Sequence, residues 1–213
     1  MRILKINVNN PDPEIIREAV QIITKGGAVV LPTDTAYGIA VNALDNEALA
    51  HLDKIKARQN QKPYPLAVLG FQEAEKYAIF NEQAKILAQS FWPGALTLVL
   101  RRKKGTQILS ETIGVRVPDS RLCHDFSKAL GFPYTITSAN ISGMPSAYTA
   151  EEVVRQFERA EYQPDLILDG GELPRGRIST VVDLSCGEIK ILREGEILFE
   201  EILNILKNKK FKM

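Results

Sequence analysis

VVLPTDTAYG, residues 29–38, joins an apolar run to a cluster of small polar residues. Residues 28–31 have the length and β-branching of a buried strand, and Pro32 ends that strand because it has no N–H to donate. The polar residues therefore follow the carboxyl end of a strand, which is the edge where open α/β sheets bind ligands. A lone Thr-Asp-Thr tripeptide is more often an ordinary polar turn. The interpretation therefore depends on the rest of the chain.

A second predicted strand also ends in small polar residues. It begins at Tyr134 and continues into TSANISG, residues 137–143. Two such endings in one α/β chain are expected to face one cleft. Arg116 lies in a third predicted strand, residues 113–117, where at least one face is buried. A buried arginine needs an anionic partner, and the sequence leaves open whether this is a protein carboxylate or a ligand.

The pattern of caps and apolar residues predicts alternating helices and strands. Asp12 with Pro13 begins a first helix, and Asp45 or Asn46 begins a second. Residues 72–91 form two helices separated by Asn81, another helix spans 119–130, and Thr149 with Glu152 forms a capping box. Further strands are expected at residues 66–69, 95–100, 166–168 and 179–184, and a terminal helix at about 196–207. No repeat or long linker divides the sequence, so it predicts one α/β domain over residues 1–213.

Composition excludes several classes of protein. The 213 residues are 45% hydrophobic and 25% charged, with a net charge of +1, which is not typical of a protein that mainly binds a polyanion. The composition leaves open a local basic face on the protein. The most basic run of the sequence is residues 207–212. No apolar run approaches the roughly 18 residues of a membrane span, and the N-terminus does not resemble a signal peptide, so we expect a cytoplasmic protein. Cys123 and Cys186 are expected to be free thiols, and the two histidines suggest no zinc site.

One glycine-rich segment imitates a phosphate-binding P-loop. It runs from Gly171 to Arg177. Arg177 and Ile178 replace the lysine and the hydroxyl residue of that motif, and residues 179–184 are predicted as strand where a P-loop is followed by a helix. The sequence therefore does not predict a P-loop fold.

Seven ordered motifs carry a resemblance over residues 29–195. They are PTDTAYG (32–38), KAR (56–58) followed by KP (62–63), WPGALTLVL (92–100), TIGVRVP (112–118), TSANISG (137–143) with Pro145 and Ser146, STVVD (179–183) and LREG (192–195). The chain resembles the YrdC-like family, and within it the single-domain threonylcarbamoyl-adenylate synthases. The resemblance implies an open, twisted, largely parallel sheet with helices on both sides and a deep concave cleft. It also implies that L-threonine, bicarbonate or CO2, and ATP give threonylcarbamoyl-AMP and pyrophosphate for the modification of tRNA.

The resemblance also assigns roles to individual residues. Threonine contacts fall on Thr35, Arg116 and Ser179. Nucleotide contacts fall on Lys56, Arg58, Lys62, Thr112, Ser138, Asn140, Ser146 and Arg193. No residue is assigned as a covalent nucleophile, because alignment and charge stabilisation can carry such a reaction. Mg²⁺ is expected on the ATP phosphates, held chiefly by substrate oxygens.

The chain departs from the usual family pattern at three positions. Gln59 stands where the family usually has a proline, and Ala36 stands where a valine is common. Ala67 stands where some members have a histidine near the threonine. Two alternatives stay open: a non-catalytic module that binds double-stranded RNA, and a carbamoyl-transfer domain that uses carbamoyl phosphate. The expected partners are the three substrates, downstream tRNA-modification enzymes and a weak contact with tRNA, with no membrane contact.

Overall fold

The computed structural model describes residues 1–58, 63–176 and 178–210. Within these residues the chain forms seven helices and twelve strands. The helices are α1 (Pro13–Thr24), α2 (Asn46–Ile55), α3 (Phe71–Tyr77), α4 (Glu82–Phe91), α5 (Arg121–Leu130), α6 (Ala150–Phe157) and α7 (Phe199–Lys210). The strands are β1 (Arg2–Lys5), β2 (Val29–Pro32), β3 (Tyr37–Ala40), β4 (Leu66–Ala67), β5 (Ala78–Ile79), β6 (Leu96–Arg102), β7 (Thr112–Arg116), β8 (Tyr134–Thr135), β9 (Thr137–Ser138), β10 (Leu166–Asp169), β11 (Thr180–Asp183) and β12 (Lys190–Arg193).

Local capping explains where most helices begin. Side-chain oxygens of Asp12, Asp45, Asn81 and Thr149 each accept a hydrogen bond from a backbone N–H in the first turn of α1, α2, α4 and α6. The predicted starts at Asp12, Asp45 and Thr149 are confirmed, and Asn81, which was predicted only to separate two helices, caps α4. Helix α5 begins two residues later than predicted because Ser120 is its cap. It is therefore the short polar side chains that set the first residue of these helices.

The strands form two sheets with mixed pairing. The first has the order β1-β10-β2-β3-β9, and the second has the order β12-β11-β6-β7-β4-β8, with β5 paired to β6. The α/β class is confirmed, but the pairing is less parallel than expected. β2 with β3, β6 with β7, and β11 with β12 are antiparallel, because their connections are too short for the crossover that a parallel pair needs.

The segment of residues 134–138 joins the two sheets. β8 pairs with β4 in the second sheet, and β9 pairs with β3 in the first. The Thr135 N–H donates to the Val41 carbonyl at 3.0 Å, and the Val41 N–H donates to the Thr135 hydroxyl at 3.0 Å. The predicted single strand is therefore two short strands in different sheets. The polar residues that follow it lie where the sheets meet.

Helices cover both faces of the first sheet and one face of the second. Residues of α1 and α5 pack with Leu166 on one face of the first sheet, and residues of α2 and α6 pack with Ile167 on the other. In the second sheet Leu98, Val115 and Val182 pack in a core with α4 and α7. Side chains alternate along a strand, so the neighbouring residues of these strands face away from that core. Among the described residues, no helix is long and apolar enough to cross a membrane.

Candidate functional site

A polar cleft of about 220 Å³ lies at the junction of the two sheets. Both polar strand endings contribute to it, as predicted, because β3 pairs with β9 through Gly38 and Ser138. The lining includes hydroxyls from several elements and two guanidinium groups. The lining residues are Thr33, Thr35, Ala36, Tyr37, Gly38, Pro65, Thr97, Arg116, Ile136, Thr137, Ser138, Ser146, Ile178, Ser179, Val181 and Arg193.

A second, larger cavity of about 490 Å³ is a weaker candidate. It lies between α3, α4 and α5 and is lined mainly by apolar groups such as Val68, Trp92 and Val117. Its polar residues are mostly on the exposed turns of α5. Binding sites for charged substrates need several convergent polar or charged groups, and the smaller cleft provides them. We therefore place the functional site in the cleft at the sheet junction.

Strand alternation places three of the cleft residues on the second sheet. Leu96 and Leu98 face the core, so Thr97 between them faces the cleft, and the same holds for Val181 beside Val182. Arg116 follows core residue Val115 in the same way. The floor of the cleft is therefore the open face of β6, β7 and β11.

The turn between β2 and β3 is held by the hydroxyl of Thr33. This oxygen accepts from the backbone N–H groups of Thr35 at 3.1 Å and Ala36 at 3.3 Å, and its proton is donated to the Ala36 carbonyl at 2.7 Å. Such a hydroxyl-bonded turn fixes the backbone without needing glycine. Thr33 and Thr35 are both buried, and both line the cleft. The polar turn is thus a rigid wall of the site.

Arg116 is the buried cation of the cleft. Its Nε donates to the Gly94 carbonyl at 3.0 Å, Nη1 to the Thr35 hydroxyl at 3.2 Å, and Nη2 to Oδ1 of Asp34 at 2.7 Å. The anionic partner left open by the sequence is therefore a protein carboxylate. Asp34 was not among the predicted site residues. The sequence indicated that Arg116 needs an anionic partner, but it did not distinguish Asp34 from the other carboxylates.

Arg193 and Ser179 form the opposite side of the cleft. Arg193 donates from Nε to the Ser179 carbonyl at 2.9 Å and from Nη2 to the Ser179 hydroxyl at 2.8 Å. Thr97 donates to the same hydroxyl at 3.2 Å. Partial desolvation of the guanidinium, and then the charge of Arg116, lower the pKa of Arg193, although the residue as a whole is exposed. Among the described residues no carboxylate forms an ion pair with Arg193, so its positive charge is available to an anionic ligand.

Lys56 and Asn140 lie behind the cleft. The buried Lys56 ammonium donates to the carbonyls of Ser138 at 2.7 Å and Asn140 at 2.8 Å, and to Oδ1 of Asn140 at 3.3 Å. Burial lowers the pKa of Lys56 to about 8, and the positive charge of Arg58 adds to this effect. The Ser138 hydroxyl also donates to Oδ1 of Asn140. In this structure the pair therefore shapes the loop that carries Ser138 into the cleft.

The remaining predicted nucleotide residues are distributed differently. Ser146 lines the cleft with Ser138 and Arg193. Arg58 lies outside it, with its Cζ 4.3 Å from the centre of the Tyr64 ring. Thr112 is at the start of β7 and is not a lining residue. Lys62 and Gln59 lie outside the described residues. All three predicted threonine residues, Thr35, Arg116 and Ser179, line the cleft.

No resident metal site accompanies these groups in the part of the chain that is described. A cluster of three or more histidine, cysteine, aspartate or glutamate side chains is absent from residues 1–58, 63–176 and 178–210. Cys123 and Cys186 are both free thiols. The described residues that line the cleft offer hydrogen bonds and positive charge to a ligand.

Comparisons with known proteins found similar sequences and similar structures. A family model for Sua5, YciO and YrdC, described as "Telomere recombination", matches residues 21–195. The threonylcarbamoyl-AMP synthase of Mus musculus is 33% identical over 207 residues, which cover 92% of this chain and 72% of the mouse protein.

Two solved structures share the fold. The crystal structure of Pyrococcus abyssi Sua5 complexed with L-threonine is 33% identical, with a TM-score of 0.89 over 97% of this chain and 61% of the P. abyssi chain. Escherichia coli YciO is 28% identical, with a TM-score of 0.83 over 95% of this chain and 100% of the YciO chain. This chain thus spans about three fifths of the P. abyssi protein and nearly the full length of YciO.

Proposed function

Because the chain belongs to the Sua5, YciO and YrdC family, we propose that it is a threonylcarbamoyl-AMP synthase. It joins L-threonine, bicarbonate or CO2, and ATP to give threonylcarbamoyl-AMP and pyrophosphate, for the threonylcarbamoyl modification of tRNA. The observation that carries the proposal is the meeting of Thr35, Arg116 and Ser179 in one cleft. A relative of the same fold was crystallised with L-threonine.

Arg116 is the proposed receptor for the threonine carboxylate. A guanidinium can bind a carboxylate through two parallel hydrogen bonds, which fixes both position and orientation. Thr35 and Ser179 line the same cleft and offer hydroxyls to the polar groups of the amino acid. This places the amine of threonine inside the cleft, where it can meet CO2.

Arg193, Ser138 and Ser146 are the proposed contacts for the phosphates of ATP. Arg193 has no protein carboxylate to compensate it among the described residues, and the two serines line the same cleft. Lys56 and Asn140 support this end by holding the serine loop. Arg58, Thr112 and Lys62 remain proposed nucleotide contacts from the family resemblance. Mg²⁺ enters with ATP as part of the substrate, which suits an ion that keeps phosphate and water ligands.

The proposed reaction needs alignment and charge more than a protein nucleophile. The threonine amine attacks the carbon of CO2, a C–N bond forms, and the amine loses a proton. A carbamate oxygen then attacks the α-phosphorus of ATP, and the bond to the β-phosphate oxygen breaks to release pyrophosphate. Both reactants are anionic, so the positive charge of Arg193 and the fixed dipoles of the cleft reduce their repulsion.

Pyrophosphate release with each component omitted in turn tests the proposal. Release should require ATP, Mg²⁺, bicarbonate and L-threonine together, because without the amine and CO2 no carbamate exists to attack ATP. Mass analysis should find the threonylcarbamoyl group on AMP. Undiminished release without threonine, or a product that lacks this mass, would contradict the assignment.

The cell compartment and the partners of the product are also proposals. Both cysteines are free in the described residues, which suits a reducing cytoplasm. An enzyme that transfers the threonylcarbamoyl group to tRNA must consume the product. Direct contact with tRNA should be weak, since the net charge of the chain is only +1.

A further inference from the structure

Asp34 and Arg116 form an ion pair in which only Arg116 lines the cleft. The two side chains are 14% and 5% exposed, and their atoms meet at 2.7 Å. Arg116 lines the cleft, but Asp34 is not among the residues that do. The carboxylate is therefore bonded to the guanidinium from outside the cleft lining.

The Thr33 turn fixes where Asp34 points. Two N–H groups of the turn are bonded to the Thr33 hydroxyl, so the backbone on both sides of Asp34 is held. Thr35 is directed into the cleft and Asp34 to the rear of Arg116. Because the turn holds Asp34 in place, the charged hydrogen bond from Arg116 to Asp34 limits rotation of the guanidinium.

The hydrogen bonds of Arg116 leave a defined set of donors. A guanidinium has five N–H groups. Gly94, Thr35 and Asp34 take one each, from Nε, Nη1 and Nη2. One N–H on each Nη atom then has no partner among the described residues. A carboxylate can bind in a bidentate manner by accepting from one N–H on each of two guanidinium nitrogens.

We propose that Asp34 is a positioning residue for substrate recognition, which holds Arg116 so that its two remaining N–H groups face the carboxylate of the amino-acid substrate. This inference rests on the proposed function for the identity of that substrate. Asp34 also compensates the charge of Arg116, so among the described residues that line the cleft it is Arg193 that has no carboxylate partner. Arg116 then selects a planar carboxylate by geometry, and Arg193 attracts phosphate by charge.

The kinetic test replaces Asp34 by asparagine. Asp34→Asn keeps the shape of the side chain and removes its charge. A misplacement of about 1 Å can cost about a hundred-fold, so the KM for L-threonine should rise by roughly ten- to a hundred-fold. The KM for ATP should change by less than about two-fold, because Asp34 does not face the nucleotide end. Equal rises in both KM values, or no rise for threonine, would overturn the proposal.

Asp125→Asn is the matched control. Asp125 accepts from Nε of Arg121 at the same distance of 2.7 Å, but that arginine side chain is 65% exposed. Its removal should leave both KM values unchanged, since an exposed pair contributes little. Asp34→Ser is the second variant if the asparagine protein does not fold, because serine removes the carboxylate without adding an amide donor.

A spectroscopic test is independent of the reaction. In ¹⁵N spectra of the wild-type protein, Arg116 should give separate Nη–H signals because its guanidinium does not rotate freely, and Arg116→Lys identifies them by their loss. In Asp34→Asn these signals should merge or broaden, while Asp125→Asn should retain them. Unchanged signals in Asp34→Asn would overturn the positioning role. If the wild-type protein shows these signals but no threonine-dependent pyrophosphate release, the proposed function fails and the positioning role stands.

Discussion

Replacing Arg116 should lower both the stability and the activity of the protein, for two different reasons that can be tested separately. Arg116→Met removes the partner of Asp34, which is only 14% exposed, and leaves a nearly buried carboxylate without compensation. Removing one member of a buried pair costs about 3–5 kcal/mol, and the partial exposure of Asp34 places the loss near about 3 kcal/mol. For a chain of this length that corresponds to a fall in Tm of roughly 6–12 °C.

A double variant separates the two routes. In Arg116→Met with Asp34→Asn the uncompensated charge is gone, so the free energy of unfolding should exceed the additive expectation by about 1–3 kcal/mol. Activity should not return, because the receptor for the carboxylate is still absent. Pyrophosphate release should stay at least about ten-fold below wild type in both the single and the double variant.

The measurements are urea unfolding followed by circular dichroism, and pyrophosphate release at saturating ATP. The single variants Arg116→Met and Asp34→Asn complete the thermodynamic cycle. Strictly additive losses would show that the two residues do not interact in the folded protein. Restored activity in the double variant would show that Arg116 acts only on stability.

Four further outcomes are expected. Arg58→Ala should reduce pyrophosphate release about ten-fold or more without unfolding the protein, as a cation near phosphates would; a wild-type rate would make its contact with Tyr64 purely structural. The pKa of Lys56 is about 8 in the folded protein, below its ordinary value of 10.5. Between these pH values the unfolded chain binds a proton that the folded protein has released, so stability should rise with pH relative to Lys56→Met in urea titrations, and no difference in slope would contradict this. L-Serine should replace L-threonine with a loss of roughly ten-fold in kcat/KM, the low end for one methyl group, and a loss beyond about a thousand-fold would require another selective contact. RNA binding measured by filter retention should weaken by about one logarithmic unit per logarithmic unit of salt for each phosphate contact, and tight, salt-resistant binding would favour an RNA-binding module.

Local features of the fold were predictable because they depend on neighbours in sequence. Asp12, Asn81 and Thr149 cap helices through hydrogen bonds to residues two or three positions away. The strand after the glycine-rich segment was also correct, since β11 pairs in parallel with β6 and no P-loop helix follows. The meeting of the two polar strand endings in one cleft was predictable because strands of an α/β sheet often end near one another.

Long-range features were not predictable from one sequence. The pairing of Asp34 with Arg116 spans 82 positions, and no local pattern chooses Asp34 over other carboxylates. The turn from β8 to β9 passes between sheets within five residues, which a hydrophobic pattern of period two does not reveal. Lys56 belongs to a motif that the resemblance assigns to the nucleotide, yet within the described part of the chain its ammonium donates to oxygens of the serine loop.

The Thr-Asp-Thr turn shows why a tripeptide that is uninformative alone becomes specific in the fold. Thr33 closes the turn, Asp34 fixes Arg116 from behind, and Thr35 accepts from the same guanidinium at the wall of the cleft. Thr33 and Thr35 both line the cleft, whereas Asp34 between them is not a lining residue. An ordinary polar turn would leave all three in water, where a hydrogen bond or ion pair contributes little. Here Asp34 and Thr35 contact one buried guanidinium and Thr33 holds the turn that carries them, so the turn sets the orientation of the group proposed to receive the substrate.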